Sequence, residues 1–197
     1  MGMVGNSLHN PRAGAFWGQL PETEHAVQVY RDDETFIDCL ESFVGSGLRS
    51  GESVVLIATA SHLHELEKRL RGGWIDLDRC RWEERYIAVL AQETLDSFMV
   101  DGMPDEALFE KRVGDMITRA RGRGRKLRAF GEMVGVLWSE DNKDGALKLE
   151  HLWGRLQAVR KFPLFCGYAR SQLKAESLES DIRTICSAHS RIVPGYV

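Results

Sequence analysis

Apolar residues recur along this chain in two alternating rhythms: short unbroken runs, and longer stretches in which they return every three or four positions. His25-Ala-Val-Gln-Val-Tyr30 is a short run bounded by Pro21 and by Asp32-Asp33, and Ser53-Val-Val-Leu-Ile-Ala-Thr59 is β-branched and almost wholly apolar. Such runs suit strands buried on both faces of a sheet. Tyr86-Ile-Ala-Val-Leu90, Leu127-Arg-Ala-Phe130 and Pro163-Leu-Phe-Cys-Gly-Tyr168 repeat the pattern more weakly. Between them the period changes. Residues 34–49 place Phe36, Leu40, Phe43 and Leu48 near one helical face, and Gly51 ends that helix. Ser61 reads as the N-cap of a second helix, with Leu63, Leu66 and Leu70 inward and Gly72-Gly73 at its end. A long helix after Pro104 carries Ala107, Leu108, Val113, Met116 and Ile117. Another over 145–159 carries Leu149, Leu152, Trp153 and Leu156, and a last one over 171–188 carries Leu178, Ile182 and Ile185. Strands alternating with helices predict an α/β three-layer sandwich, a mainly parallel sheet with helices on both faces.

Composition narrows the class. The chain has 197 residues and no evident linker, which fits one domain with a sizeable core. Residues 1–21 mix Gly, Asn, Pro and Arg without an apolar stretch, and read as a flexible leader before a domain at 22–197. The net charge of −3 gives no pull towards nucleic acid or anionic lipid, so neither is an expected partner. No apolar run approaches the ~20 residues that span a bilayer. Cys39, Cys80, Cys166 and Cys186 form no C-x-x-C pair and read as reduced thiols, which makes the cytoplasm the expected compartment.

Specific chemistry is mostly missing. A phosphate-binding loop needs glycines and a Lys between a strand and a helix. The first strand is followed instead by Arg31-Asp-Asp-Glu-Thr35, whose carboxylates would repel a triphosphate. Gly45-Ser-Gly-Leu-Arg-Ser-Gly51 follows a helix and precedes a strand, so it reads as a helix-ending loop. The basic run from Arg119 to Arg128 has no interleaved aromatics and reads as the positive end of a helix, closed by Gly122 or Gly124. His62 and His64 are two apart and point to different sides of a helix. Cys186 and His189 have ligand-like spacing but no second pair of ligands is evident, so no metal is expected. There is no G-x-S-x-G elbow, and nothing positive supports an enzyme.

Several motifs occur in a familiar order: His25–Tyr30, Gly51-Glu52 leading into Val54–Thr59 with His62, Phe98-Met-Val-Asp-Gly-Met-Pro-Asp105 with Phe109, Phe130-Gly-Glu-Met-Val134 with Leu137-Trp138, Leu149-Glu-His-Leu-Trp153, Phe165-Cys-Gly-Tyr168, and Ile185-Cys-Ser-Ala-His-Ser190 with Pro194. Through them the chain resembles the MEDS family, the methanogen and methylotroph sensory domains, over about residues 22–194. The resemblance implies a RecA-like core without a phosphate loop and a non-catalytic role in bacterial signal transduction, sensing small organic compounds without a cofactor. It also implies a histidine kinase or response regulator as partner in a two-component system. It places the His25–Tyr30 strand centrally, beside the strand ending at Phe130. One departure is Ala91-Gln92, where family members often have Asp-Ala. A degenerate nucleotide-binding ATPase and a pure protein-interaction module stand as alternatives, and homo-oligomerisation stays open.

Parallel α/β sheets bind ligands beyond the carboxyl ends of their strands. The residues expected there are Tyr30, Asp32, Thr59, His62, Gln92, Glu132 and Tyr168. Glu132 stands out as a carboxylate between apolar neighbours, which needs a partner, either an Arg or a pocket. Glu150 on the covering helix is its candidate counterpart. His62, near a helix start where the dipole disfavours its cation, is expected to be neutral.

Overall fold

The computed structural model describes residues 17–18 and 20–194. Its strands are β1 His25–Tyr30, β2 Ser53–Ala58, β3 Tyr86–Leu90, β4 Met99–Val100, β5 Met103–Pro104, β6 Leu127–Gly131, β7 Leu164–Ala169 and β8 Arg191–Ile192. Its α-helices are α1 Asp33–Arg49, α2 Ala60–Gly72, α3 Leu77–Trp82, α4 Ala91–Asp96, α5 Glu106–Phe109, α6 Asp115–Arg121, α7 Met133–Ser139, α8 Lys143–Arg160 and α9 Leu178–Ser187. Six strands form one sheet in the order β3-β2-β6-β7-β1-β8, parallel throughout, while β4 and β5 make a small antiparallel pair. All five strands expected from the apolar runs are present.

The sheet divides the core in two. Alternate residues of β2 go to opposite sides, Val54 and Leu56 joining Phe36, Phe43 and Leu66, and Val55 and Ile57 joining Ile117, Met133 and Trp153. Helices α1 and α2 therefore cover one face and α6 to α8 the other, giving a three-layer α/β sandwich. This is why the strands read as continuous apolar runs rather than alternating ones.

Strand β1 lies one position in from the edge, between β7 and the short β8, and not beside β6 as the resemblance implied. Its polar groups fit that place, because the C-terminal segment supplies partners: the Gln28 side chain donates through Nε2 to the Pro194 carbonyl at 3.4 Å, and the His25 backbone amide donates to Ser190 Oγ at 2.8 Å. The wholly buried β7 takes the inner position instead.

Several element boundaries differ from expectation. Helix α2 is capped at Thr59, not Ser61, and begins directly after β2. The helix after Pro104 is interrupted by a π-helical turn at Glu110–Gly114, and Leu108 is exposed. The last helix starts only at Leu178, after short 3-10 turns at Arg170–Gln172 and Ala175–Ser177. The extended backbone at Leu173 breaks the turn there and lets its side chain bury.

Gly45 and Gly47 are not in a loop; α1 runs through both to Arg49, and Gly51 at φ 79° ends it. Gly47 makes room for Arg128, whose Nε would lie 2.5 Å from a Cβ at that position. Arg128 is buried in β6, where it pairs with Glu52 at 2.7 Å and donates to the Phe43 carbonyl at 2.7 Å. The rest of the basic run closes α6 as expected, with Gly122 as its cap and Arg121 donating to the Lys161 carbonyl. Most of the expected leader lies outside the described residues. Within it, Trp17 is buried, its ring 5.0 Å from that of Phe43 and 5.2 Å from that of Phe165, so packing begins before residue 22.

Candidate functional site

Strand β6 delivers Glu132 to the carboxyl edge of the sheet, where its backbone amide continues the ladder by donating to the Ile57 carbonyl at 2.9 Å. Its buried carboxylate is then met by three donors from three elements. The Thr59 amide, at the end of β2, donates to Oε2 at 2.8 Å. The Tyr30 hydroxyl, at the end of β1, donates to Oε1 at 3.3 Å. His62, in the first turn of α2, places Nδ1 2.6 Å from the same oxygen. The short β2–α2 junction positions His62: with the helix starting at Ala60, the third residue faces back over the strand ends. Tyr30 is held flat against Phe36, with ring centroids 4.0 Å apart. On its outer side His62 Nε2 is 3.6 Å from the exposed Asp33 carboxylate.

The electrostatics follow from this geometry. Burial works against a charged His62, but the hydrogen bond and charge of Glu132, followed by Asp33, outweigh it and raise the imidazole pKa above 6.5. The expectation that the surroundings of His62 disfavour its cation is thereby corrected, since two carboxylates face the ring and favour it. Burial, and then the Glu132 charge, push the Tyr30 phenol up, so it remains a donor. The result is a buried carboxylate held by the Thr59 amide at one oxygen and by the Tyr30 hydroxyl and His62 at the other.

Tyr30, Thr59, His62 and Glu132 are therefore brought together, whereas three of the expected residues are elsewhere. Asp32 is exposed and caps α1, its Oδ1 accepting from the Thr35 amide at 2.8 Å. Gln92 is exposed and donates to Asp96 on its own helix. Tyr168 is buried on the opposite face, where its hydroxyl donates to Glu150 at 2.5 Å and its ring meets Trp138 edge-on. Glu150 is accordingly no counterpart of Glu132. Sequence reasoning missed Asp33 and also a shallow, open surface depression lined by Arg31, Arg170 and Ser171. Arg31 and Arg170 each directly follow a strand, β1 and β7, and that position was the signal that could have found them.

Residues able to hold a metal ion gather away from this edge. His189 is not paired with Cys186 for that purpose but lies with His25, Glu150 and Cys166.

Fold and site together define a parallel α/β sandwich with a polar site at its strand ends. The family model described as MEDS, MEthanogen/methylotroph, DcmR Sensory domain, matches residues 24–189. The chain belongs to this family of sensory domains, as its motifs implied. No curated protein shows significant similarity to it. Among the described residues, no helix is long and apolar enough to cross a membrane.

Proposed function

We propose that the domain senses a small, oxygen-bearing organic compound at the carboxyl edge of the sheet, without transforming it, and passes its occupancy to a histidine kinase or response regulator in the cytoplasm. The observation that carries this reading is the Glu132 carboxylate, bonded at once to the ends of β1 and β2 and to α2. A ligand that competes for any of these donors changes how three elements are joined, and that is the differential contact a sensor needs. The shallow depression at Arg31 and Arg170 offers cations for an oxygen-bearing group at the ends of β1 and β7. Against nucleotide binding stands the β1–α1 connection, only Arg31-Asp32 long, in which the Asp32 carboxylate occupies the helix N-terminus where a phosphate would sit.

A thermal-shift screen with small organic acids, alcohols and nucleotides tests the reading. A ligand at a hundred times its Kd stabilises the fold by about 2.7 kcal/mol. The expected result is a saturable shift with an organic compound, abolished in Arg170→Ala and Glu132→Gln, with the compound recovered chemically unchanged. A larger shift with ATP would instead favour a degenerate ATPase, and a flat screen with a captured protein partner would favour an interaction module.

A further inference from the structure

On the other face of the sheet, four side chains from four segments converge: His25 at the start of β1, Cys166 in β7, Glu150 in α8 and His189 just past α9. One donor atom of each lies within 4.8 Å of all the others. His25 Nε2 is 3.4 Å from Glu150 Oε2 and 3.5 Å from Cys166 Sγ. His189 Nε2 is 3.4 Å from Glu150 Oε1, and Cys166 Sγ is 3.9 Å from Glu150 Oε2. Glu150 Oε2 thus faces His25 and Cys166 while Oε1 faces His189, so the four side chains surround one small space. Zinc bonds of about 2.0 Å to N or O and about 2.3 Å to S set tetrahedral neighbours roughly 3.3–3.5 Å apart, so the longest of these separations, Cys166 to Glu150, would close by a few tenths of an ångström on binding.

Hydrogen bonding alone does not account for the arrangement. The His189 side chain is fully buried, and its Nε2 meets only the Glu150 carboxylate, at 3.4 Å and without the geometry of a good hydrogen bond. Its other nitrogen, Nδ1, lies 2.7 Å from the Ile185 carbonyl. That contact fixes the tautomer of a metal-ligating histidine and turns the Nε2 lone pair inward. Glu150 is oriented in the same manner by the Tyr168 hydroxyl at 2.5 Å.

We propose that His25, Glu150, Cys166 and His189 form a buried, four-coordinate site for one divalent transition-metal ion, zinc foremost. Two neutral imidazoles, a carboxylate and a thiolate carry two negative charges, which a dication cancels, so the filled site buries no net charge. Cys166 gives up its thiol proton to solvent on binding. With four protein ligands there is no open position for a substrate, so the ion acts as a fastener. What it fastens is the C-terminal segment: Ser190, next to His189, bonds His25 through both its amide and its hydroxyl, and leads into β8. The site lies on the face opposite the Glu132 cluster and does not depend on the proposed ligand there.

Cobalt(II) titration of the full chain after EDTA dialysis is the test. One equivalent should bind, with the strong visible bands of tetrahedral cobalt and a near-ultraviolet thiolate charge-transfer band, both bleached by one equivalent of zinc. Cys166→Ser should lose the charge-transfer band, and His189→Gln should weaken binding at least about tenfold, a loss that even removing an outer-shell partner can cause. Weak, substoichiometric binding with an octahedral spectrum overturns the proposal, as does a thiolate band that survives Cys166→Ser. If Cys166→Ser does not fold, a variant with Cys39→Ser, Cys80→Ala and Cys186→Ser decides. The band must persist there with wild-type circular dichroism, and its loss from that folded variant overturns the assignment.

Discussion

Glu132 could be singled out from sequence because a carboxylate between apolar neighbours at a strand end demands a partner. The partner itself was not legible, since His62 lies 70 positions away and only the β2–β6 pairing brings the two together. The pair has a pH signature. His62 holds its proton more tightly in the folded chain than in the unfolded one, so its contribution is fully present below the ordinary pKa of 6.5. It fades as pH rises through the raised folded value. The stability difference between wild type and His62→Gln, from melts across that range, should therefore shrink as pH rises. His25, whose pKa burial lowers to about 4, titrates alike in both proteins and drops out of the comparison. A difference constant with pH would show that the pair carries no charge. A second residue-scale outcome concerns Gly47. Replacing a helical Gly by Ala ordinarily stabilises by about 1 kcal/mol. Here the new methyl meets Arg128, which Glu52, Phe43 and Ser46 hold in place. Gly47→Ala should instead destabilise by about 1–3 kcal/mol in denaturant unfolding, as overpacking does.

At the scale of elements, strands were more legible than helix boundaries. A strand buried on both faces announces itself as an unbroken apolar run, and β1 and β3 begin and end where their runs do. Helix ends depend on contacts that the pattern does not contain. The glycines of α1 suggested a loop because the reason for Gly47, a buried Arg128 from β6, is remote in sequence. The final helix was drawn too long: its apolar residues Leu178, Ile182 and Ile185 do lie within α9, but the polar stretch before them forms short 3-10 turns, with Leu173 buried from an extended backbone. Asp32 shows the same ambiguity, since a carboxylate after the first strand can face a ligand or cap the next helix. The structure makes it the cap. Asp32→Ala should lower stability by about 1 kcal/mol, the usual effect of losing an N-cap. The variant should leave the organic-compound thermal shift at its wild-type size. A shift lost in Asp32→Ala would return that residue to the ligand site.

For the molecule as a whole, the layer architecture followed from the alternation of strands and helices, but strand order did not, because nothing local says which parallel run lies beside which. The position of β1 next to the edge has a dynamic consequence. Strands β2, β6 and β7 are each paired on both sides, whereas β8 is paired on one side alone, through Ala26↔Arg191 and Val27↔Ile192, with Arg191 also bridged to Glu24 at 2.7 Å. The flanking amides of Ser190 and Val193 donate to the His25 and Val27 carbonyls, and Ile192 is exposed. Val193 is the one apolar side chain of this segment that buries in the core, so the segment should open without unfolding the sheet. Native-state hydrogen exchange of the metal-free protein in low denaturant would measure this. The Ser190 and Val193 amides should exchange through a local opening almost insensitive to denaturant, while those of Val55, Ala129 and Cys166 should follow global unfolding. Exchange of Val193 only through the global transition would place the C-terminal segment within the cooperative core, leaving no separate edge for a signal to release.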